Sequence, residues 1–294
     1  MIPRAVPGLL VAAAIVAGTY ADRPRRYPPL TLGGYRVLAV DFHTHSSMWS
    51  DGALTPWGLV LEARRQGLDA FAITAHNETW DAHVGQRFSR MVGGPTVLVG
   101  EEIVRPSFHL IAAGITTTVS FMQSAAGAID EVHRQGGVAI AAHPDEEFWE
   151  GFDAPAMQRL DGSEICHPSV LVPEFVLKED VQRTYETFAA RAPLAAIGSS
   201  DFHGLGPMGL CRTYVFADAV SEQGILDAVR AHRTVVYGRD GRAYGDPALV
   251  QLAAQAGGLR DREPARDTAG WLDWVSRIAG LLGLAGVIAR SRQA

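Results

Sequence analysis

The sequence predicts an α/β fold in which parallel strands build a TIM-like barrel with helices outside it. Three observations predict it. Short apolar runs alternate with longer helical stretches from about residue 35 to residue 238, as expected where crossover helices join parallel strands. The runs are brief, rich in Val, Ile and Ala, and end on polar residues. Most of those polar residues are of metal-binding type, and the C-terminal strand ends of a parallel barrel converge on one mouth.

The elements follow in chain order. RVLAVDF, DAFAITA, TVLVGEEI, GVAIAAH and LAAIGSS read as buried strands, and residues 109–114 as a further strand. Residues 56–67, 81–92, 121–136, 173–191 and 221–232 read as helices. Pro56 and Pro173 suit first-turn positions, where the missing N–H costs nothing, and Gly67 and Gly136 suit C-terminal stops. There is no internal repeat and no low-complexity segment.

The ends differ from the middle. Residues 6–20 carry no charge; at about 15 residues the run is short for a span, which needs roughly 20, and suits a signal-peptide core or a short anchor. The C-terminal WLDWVSRIAGLLGLAGVIAR is mostly apolar and reads as a membrane-inserted or interfacial helix, with a core helix as the alternative. The expected organisation is therefore a leader or anchor with linker over 1–34, a catalytic domain over 35–256, and a linker with apolar helix over 257–294. Together the ends favour membrane association. Sidedness stays open: Arg23, Arg25 and Arg26 after the first run favour a cytoplasmic domain, whereas a cleaved signal places it outside.

Bulk properties narrow the function. The 294 residues are 47% hydrophobic and 20% charged, with a formal net charge of -6. That balance gives a real core and argues against a broad nucleic-acid-binding track, so no long nucleic acid is expected as partner. Two cysteines, Cys166 and Cys211, exclude a disulfide framework or a cysteine zinc site, and two buried free thiols are the favoured reading. No GxSxG elbow or phosphate-binding glycine loop is present.

The chemistry sits at the strand ends. In DFHTHSSMWSDG, His43 and His45 are two apart on an extended segment, so both rings face one side and suit a shared ion. Asp51 follows in a Ser-Asp-Gly turn that folds back over the mouth. His76 ends the second run. Glu101 and Glu102 lie on opposite faces if extended, so one of them faces the mouth. His109 and His143 follow, then Asp201 and His203, again two apart. His167, in EICHP, also ends a strand and is a candidate substrate contact. His83, His133 and His232 fall in predicted helices and read as structural.

The ordered set HTH, SDG, ITAHN, GEEI, the isolated His109, AHP and SDFH resembles the PHP (polymerase and histidinol phosphatase) superfamily over residues 37–203. The segment after it loosely resembles the carbaryl-hydrolase-like branch. The resemblance implies a distorted (β/α)7 barrel with two or three divalent ions (Zn, Mn or Fe). It implies one ion on His43, His45, Glu102 and Asp201, and a second on Glu102, His109 and His143, with the glutamate bridging. Asp51, His76 and His203 are implied for a third. Glu102 is preferred to Glu101 because the family pattern is Gly-x-Glu followed by an apolar residue. Ala75 departs from the family, where an aspartate usually precedes the histidine, so a carboxylate that orients an imidazole is missing there.

The expected activity is that of a metal-dependent phosphoesterase using a metal-bridging hydroxide at a di- or trinuclear site. Asp201 and His203 are the catalytic candidates, and a small phosphate ester is the expected substrate. Hydrolysis of a carbamate, ester or amide at the same site is the nearest alternative, and a non-catalytic membrane-tethered binding module is the other. Arginine at the mouth would favour phosphate. Arg105, closest in sequence to a ligand, is the first candidate, ahead of Arg212 and Arg239.

Overall fold

The computed structural model describes residues 5–291 apart from 22, 24–25, 145–150, 168–182, 188–189, 191–192, 205, 239–240, 258 and 263–268. Most of the helix expected over 173–191, part of the linker expected over 257–268, and Arg239 fall outside the described residues. The chain divides into two compact units, residues 26–264 and residues 1–25 with 265–294.

The larger unit is an α/β barrel. Its strands are β1 Leu30–Leu32, β2 Tyr35–Asp41, β3 Ala70–Ile73, β4 Thr96–Arg105, β5 Phe108–Ala113, β6 Val138–Ala141, β7 Gly162–Cys166, β8 Ala195–Gly198, β9 Thr213–Ala217, β10 Thr234–Tyr237 and β11 Ala243–Gly245. They hydrogen-bond in the order β11-β10-β9-β2-β3-β4-β5-β6-β7-β8, with β1 added against β2. The sheet is nearly closed. Where β8 meets β9, the Thr213 hydroxyl donates to the Gly198 carbonyl and accepts from the Gly198 N–H, at 2.8 and 2.9 Å. Gly198 is required there, because a Cβ would run into the Cys211 carbonyl.

The sheet is mixed rather than parallel. β2–β3, β3–β4, β6–β7 and β7–β8 are parallel, but β4 and β5 form an antiparallel hairpin and β9 runs antiparallel beside β2. Only Pro106 and Ser107 separate β4 from β5, far too short for a parallel crossover. The expected alternation therefore fails at that hairpin and after β8.

The helices of the larger unit are α2 Pro56–Arg65, α3 Trp80–Val92, α4 Ala125–Arg134, α5 Ala154–Met157, α6 Glu222–Arg230 and α7 Pro247–Ala256; α1 Val6–Ala21 and α8 Ala269–Ser291 make up the smaller unit. Helix α4 starts later than the sequence suggests because the Ser124 hydroxyl caps it, accepting from Gly127 N–H, one of the donors a helix start leaves orphaned. Alternate residues of β2 serve opposite faces. Val37 and Ala39 cluster with Leu59 and Val60 of α2, whereas Leu38 and Val40 cluster with Ile225 and Leu226 of α6.

Cys166, at the end of β7, and Cys211, just before β9, form a disulfide between Cα atoms 5.5 Å apart. This corrects the free-thiol expectation. Closure of the barrel joins segments 45 residues apart, a proximity that spacing alone does not reveal.

In the smaller unit α1 and α8 pack through small residues: Gly18 faces Ser276, Gly280 faces Ala14, and Gly283 faces Pro7 and Val11. Among the described residues no helix is long and apolar enough to cross a membrane. The apolar termini are helices, not spans.

Candidate metal centre

The first strand end is held by a carboxylate. Asp41 is fully buried, and its oxygens accept from the Ser200 N–H at 3.0 Å, the Ser200 hydroxyl at 2.5 Å and the Gly209 N–H at 2.8 Å. It thereby ties the loop carrying Asp201 and His203 to the end of β2. Backbone bonds complete the join: His45 N–H donates to the Phe202 carbonyl at 3.0 Å, and Ala53 N–H to the His203 carbonyl at 2.9 Å. His143 and Asp201 sit at φ 27° and 45°, a left-handed conformation that non-glycine residues adopt at a cost, so the fold holds both ends in strained geometry.

Glu102 is the hub. Its two oxygens serve different groups of imidazoles. Oε1 lies 2.8 Å from His109 Nδ1 and 3.1 Å from His143 Nε2. Oε2 lies 3.1 Å from His76 Nε2, 3.3 Å from His43 Nε2 and 3.5 Å from His45 Nε2. Asp201 lies opposite, with Oδ1 2.9 Å from His45 Nε2 and 3.3 Å from His43 Nε2. At the outer edge His203 Nδ1 donates to the Asp201 carbonyl at 2.9 Å, which turns Nε2 toward Asp51 Oδ1, 3.2 Å away. All nine metal candidates meet in this one constellation.

Ligating atoms come within 4.8 Å of one another in four groups: His43, His45 and Glu102; Glu102, His109 and His143; His45, Asp51, His76 and His203; and His43, His143 and His167. The residues fit divalent cations on a direct observation. His43 Nε2, His45 Nε2 and Asp201 Oδ1 are buried without a hydrogen-bond partner, though they face one another closely. Such orphaned groups are costly unless an ion satisfies them. The nitrogen and oxygen donor set suits zinc, manganese or iron.

Charge follows the same arrangement. Burial alone would raise the Glu102 carboxyl, but the His43 imidazole and hydrogen bonds from His109 and His143 outweigh it and hold it well below the usual range. Asp201 is likewise held well below: burial pushes it up, and His43, His167 and His45 more than offset that. The inner groups are closed to solvent, whereas the Asp51 side chain is 58% exposed and that of His76 is 35% exposed. The third corner is therefore the open one.

Two residues that matter here were not among the sequence candidates. Asp41 is one. Glu164, on β7, is the other: it is fully buried, with Oε1 3.1 Å from His43 Nδ1 and Oε2 accepting the His143 N–H at 2.6 Å. One carboxylate thus orients candidate ligands of two different ions. Two sequence candidates are placed differently from their expected role. Arg105 turns to the 121 loop, where Nη1 donates to the Phe121 carbonyl at 2.9 Å. It lies three positions after Glu102 on β4, and odd spacing on a strand means opposite faces. His167 is buried behind Asp201, with Nε2 3.1 Å from Asp201 Oδ2 and 1% exposure, so it supports the centre rather than facing substrate. Arg212 is fully buried, donating to Gly209 and Gln66 carbonyls.

Glu101 faces away from the histidines. Its Oε1 accepts the Val119 N–H at 2.5 Å, and burial, reinforced by Glu78, raises its carboxyl to about 8. The folded state thus keeps a proton that the unfolded chain loses near its ordinary value of about 4.3. Its stabilising contribution is full below that value and is lost as pH rises toward about 8. Glu101→Gln, which imitates the protonated group, is expected to raise the melting temperature at pH 8 and to change it little at pH 4. Equal shifts at the two pH values in thermal denaturation would contradict the assignment.

Known proteins resemble this chain in part of its sequence and in its fold. A family model described as PHP-associated matches residues 183–234, which include Asp201 and His203. A two-domain protein of Bacteroides vulgatus, containing a predicted PHP-like metal-dependent phosphoesterase, has the same fold, with a TM-score of 0.63 and 24% identity over 78% of this chain and 73% of that one. The chain is thus similar to PHP proteins in one matched segment and in its fold. An uncharacterized protein of Methanocaldococcus jannaschii is 26% identical to this chain over 117 residues, 36% of this chain and 68% of its own length.

Proposed function

We propose that the protein is a metal-dependent phosphoesterase with a dinuclear centre and a third, more open ion site, built on a distorted (β/α)7 barrel. The observation that carries this is the division of labour at Glu102: Oε1 faces His109 and His143, while Oε2 faces His43, His45 and His76. A carboxylate shared this way is what a bridge between two cations requires. When bound, such ions supply Lewis acidity and lower the pKa of a coordinated water.

The chain's own residues do the rest. Glu164 orients His43, and Asp41 fixes the loop that presents Asp201 and His203. His203 donates from Nδ1 to the Asp201 carbonyl, which leaves Nε2 beside Asp51 at the open edge, and its side chain is 19% exposed. It is therefore the group placed to exchange a proton with a leaving group, with Asp201 holding the inner imidazoles. Among the described residues, the orientation of Arg105 and the burial of Arg212 leave the recognition of phosphate to the metal corner rather than to a guanidinium clamp. A carbamate or ester, which needs one Lewis-acid contact, is the second reading, and that same orientation of Arg105 favours it.

The test is metal analysis of the purified protein combined with a panel of phosphomonoesters, phosphodiesters and carbamates. At least two divalent ions per chain and turnover of a phosphoester are expected, with both lost in His43→Ala. Absence of bound transition metal, or unchanged hydrolysis by His43→Ala, would sink the reading; turnover of carbamates alone would replace phosphate with the carbonyl substrate.

A further inference from the structure

Two tryptophans stand at the open corner of the metal centre. Trp49 is 66% exposed and Trp80 is 51% exposed, and their rings pack edge to face with centroids 4.6 Å apart and planes at 63°. Trp49 lies two residues before Asp51, and Trp80 four residues after His76; those two ligand candidates, with His45 and His203, make the least enclosed group of the centre. The tryptophans therefore ride on the two loops that present this corner.

The pair is held rather than loose. Ser46 anchors the first loop to the second: its hydroxyl donates to Asp81 Oδ2 at 2.5 Å, and Met48 N–H donates back to the same hydroxyl at 3.2 Å. Trp80 N–H donates to Glu78 Oε2 at 2.7 Å, which fixes the start of α3. Trp49 also has φ 61°, a left-handed conformation that disfavours side chains as large as indole. A strained, half-exposed indole stacked on another is a poor arrangement for folding alone.

We propose that Trp49 and Trp80 form an aromatic platform that selects esters carrying a planar aromatic group, either a simple aryl group or a nucleobase. The inference rests on the phosphoesterase reading. Two features favour a small substrate over another protein. The pair is only two side chains, far below the ~800 Å² per partner of a standard protein interface. Both tryptophans also lie within four residues of candidate ligands of the open corner. The T-shaped packing leaves an indole face open, and stacking suits any planar ring without hydrogen-bond readout.

The experiment uses the full-length, metal-loaded protein with two non-hydrolysable phosphonates and one nucleotide. Phenylphosphonate and methylphosphonate carry the same metal-seeking head and differ only in the ring, and adenosine 5′-monophosphate supplies the nucleobase arm at 4 °C with its turnover monitored. Titration calorimetry and tryptophan fluorescence are expected to show phenylphosphonate bound at least about fivefold more tightly than methylphosphonate, with indole quenching. Trp49→Leu and Trp80→Leu are expected to collapse that ratio toward one at unchanged metal content. A tighter nucleotide than phenylphosphonate assigns the platform to nucleobases, and the reverse to simple aryl groups. Equal binding of the two phosphonates, or a ratio unaffected by both substitutions, overturns the platform alone. If neither phosphonate binds, the phosphoesterase reading falls and the platform with it.

Discussion

Glu102→Gln is expected to strip the centre of metal and lower kcat/KM for any hydrolysed ester by at least ~100-fold. The floor comes from a comparison of roles. Substituting residues that merely orient metal ligands typically costs 10–100-fold in affinity or activity, and Glu102 faces five imidazoles itself. Glutamine keeps the shape but removes the charge and one acceptor, so neither of the two inner donor groups that share Glu102 retains its anionic member. Elemental analysis after dialysis should show the loss directly. Full metal content together with wild-type turnover would show that Glu102 is not the bridge.

The second large effect is expected at Glu164, away from any substrate. Its two oxygens face two nitrogens, His43 Nδ1 and the His143 backbone N–H. A carboxylate accepts from both. A carboxamide has one acceptor and one donor, so Glu164→Gln either sets its amino group against the His143 N–H or turns it on His43. In the second case His43 must accept at Nδ1 and carry its proton on Nε2, the nitrogen that faces Glu102 and Asp201, where a proton would exclude a cation. Metal affinity is expected to fall ~10–100-fold, with ~1–3 kcal/mol of apo-protein stability lost through the unsatisfied donor. Calorimetric metal titration separates the two effects, and an NMR tautomer assignment of His43 reports the mechanism. Unchanged affinity with a lowered melting temperature would reduce Glu164 to a packing role.

Much of this centre was legible in the sequence because its residues end apolar runs. RVLAVDF, DAFAITA and LAAIGSS are strands whose composition marks them as buried, and the residue after a buried strand has few places to go except the mouth. Glu164 was not legible for the opposite reason. GSEIC is short and of mixed polarity, and a glutamate inside it reads as solvated until the barrel closes around it. Strand direction is equally silent, since apolar periodicity is the same for parallel and antiparallel pairs; β9 and the β4–β5 hairpin show this. Arg105 is a different case. Parity along β4 separates it from Glu102, so the sequence held that answer once β4 was recognised as a strand running through both residues. The disulfide lay beyond reach, because it depends on where the ring closes.

That closure has a temporal consequence. His43 and His45 follow the first central strand, whereas Asp201 and His203 follow β8, and the backbone bridge between Thr44 and Phe202 stitches the two ends together. A ribosome delivers the amino-terminal ligands long before their partners, and chains fold from the amino terminus as they emerge. An inner ion held as proposed would therefore have no complete cage until about residue 203 has left the exit tunnel and docked beside β2. Cation capture would then be a late event of biogenesis, one that accompanies closure of the ring instead of nucleating it.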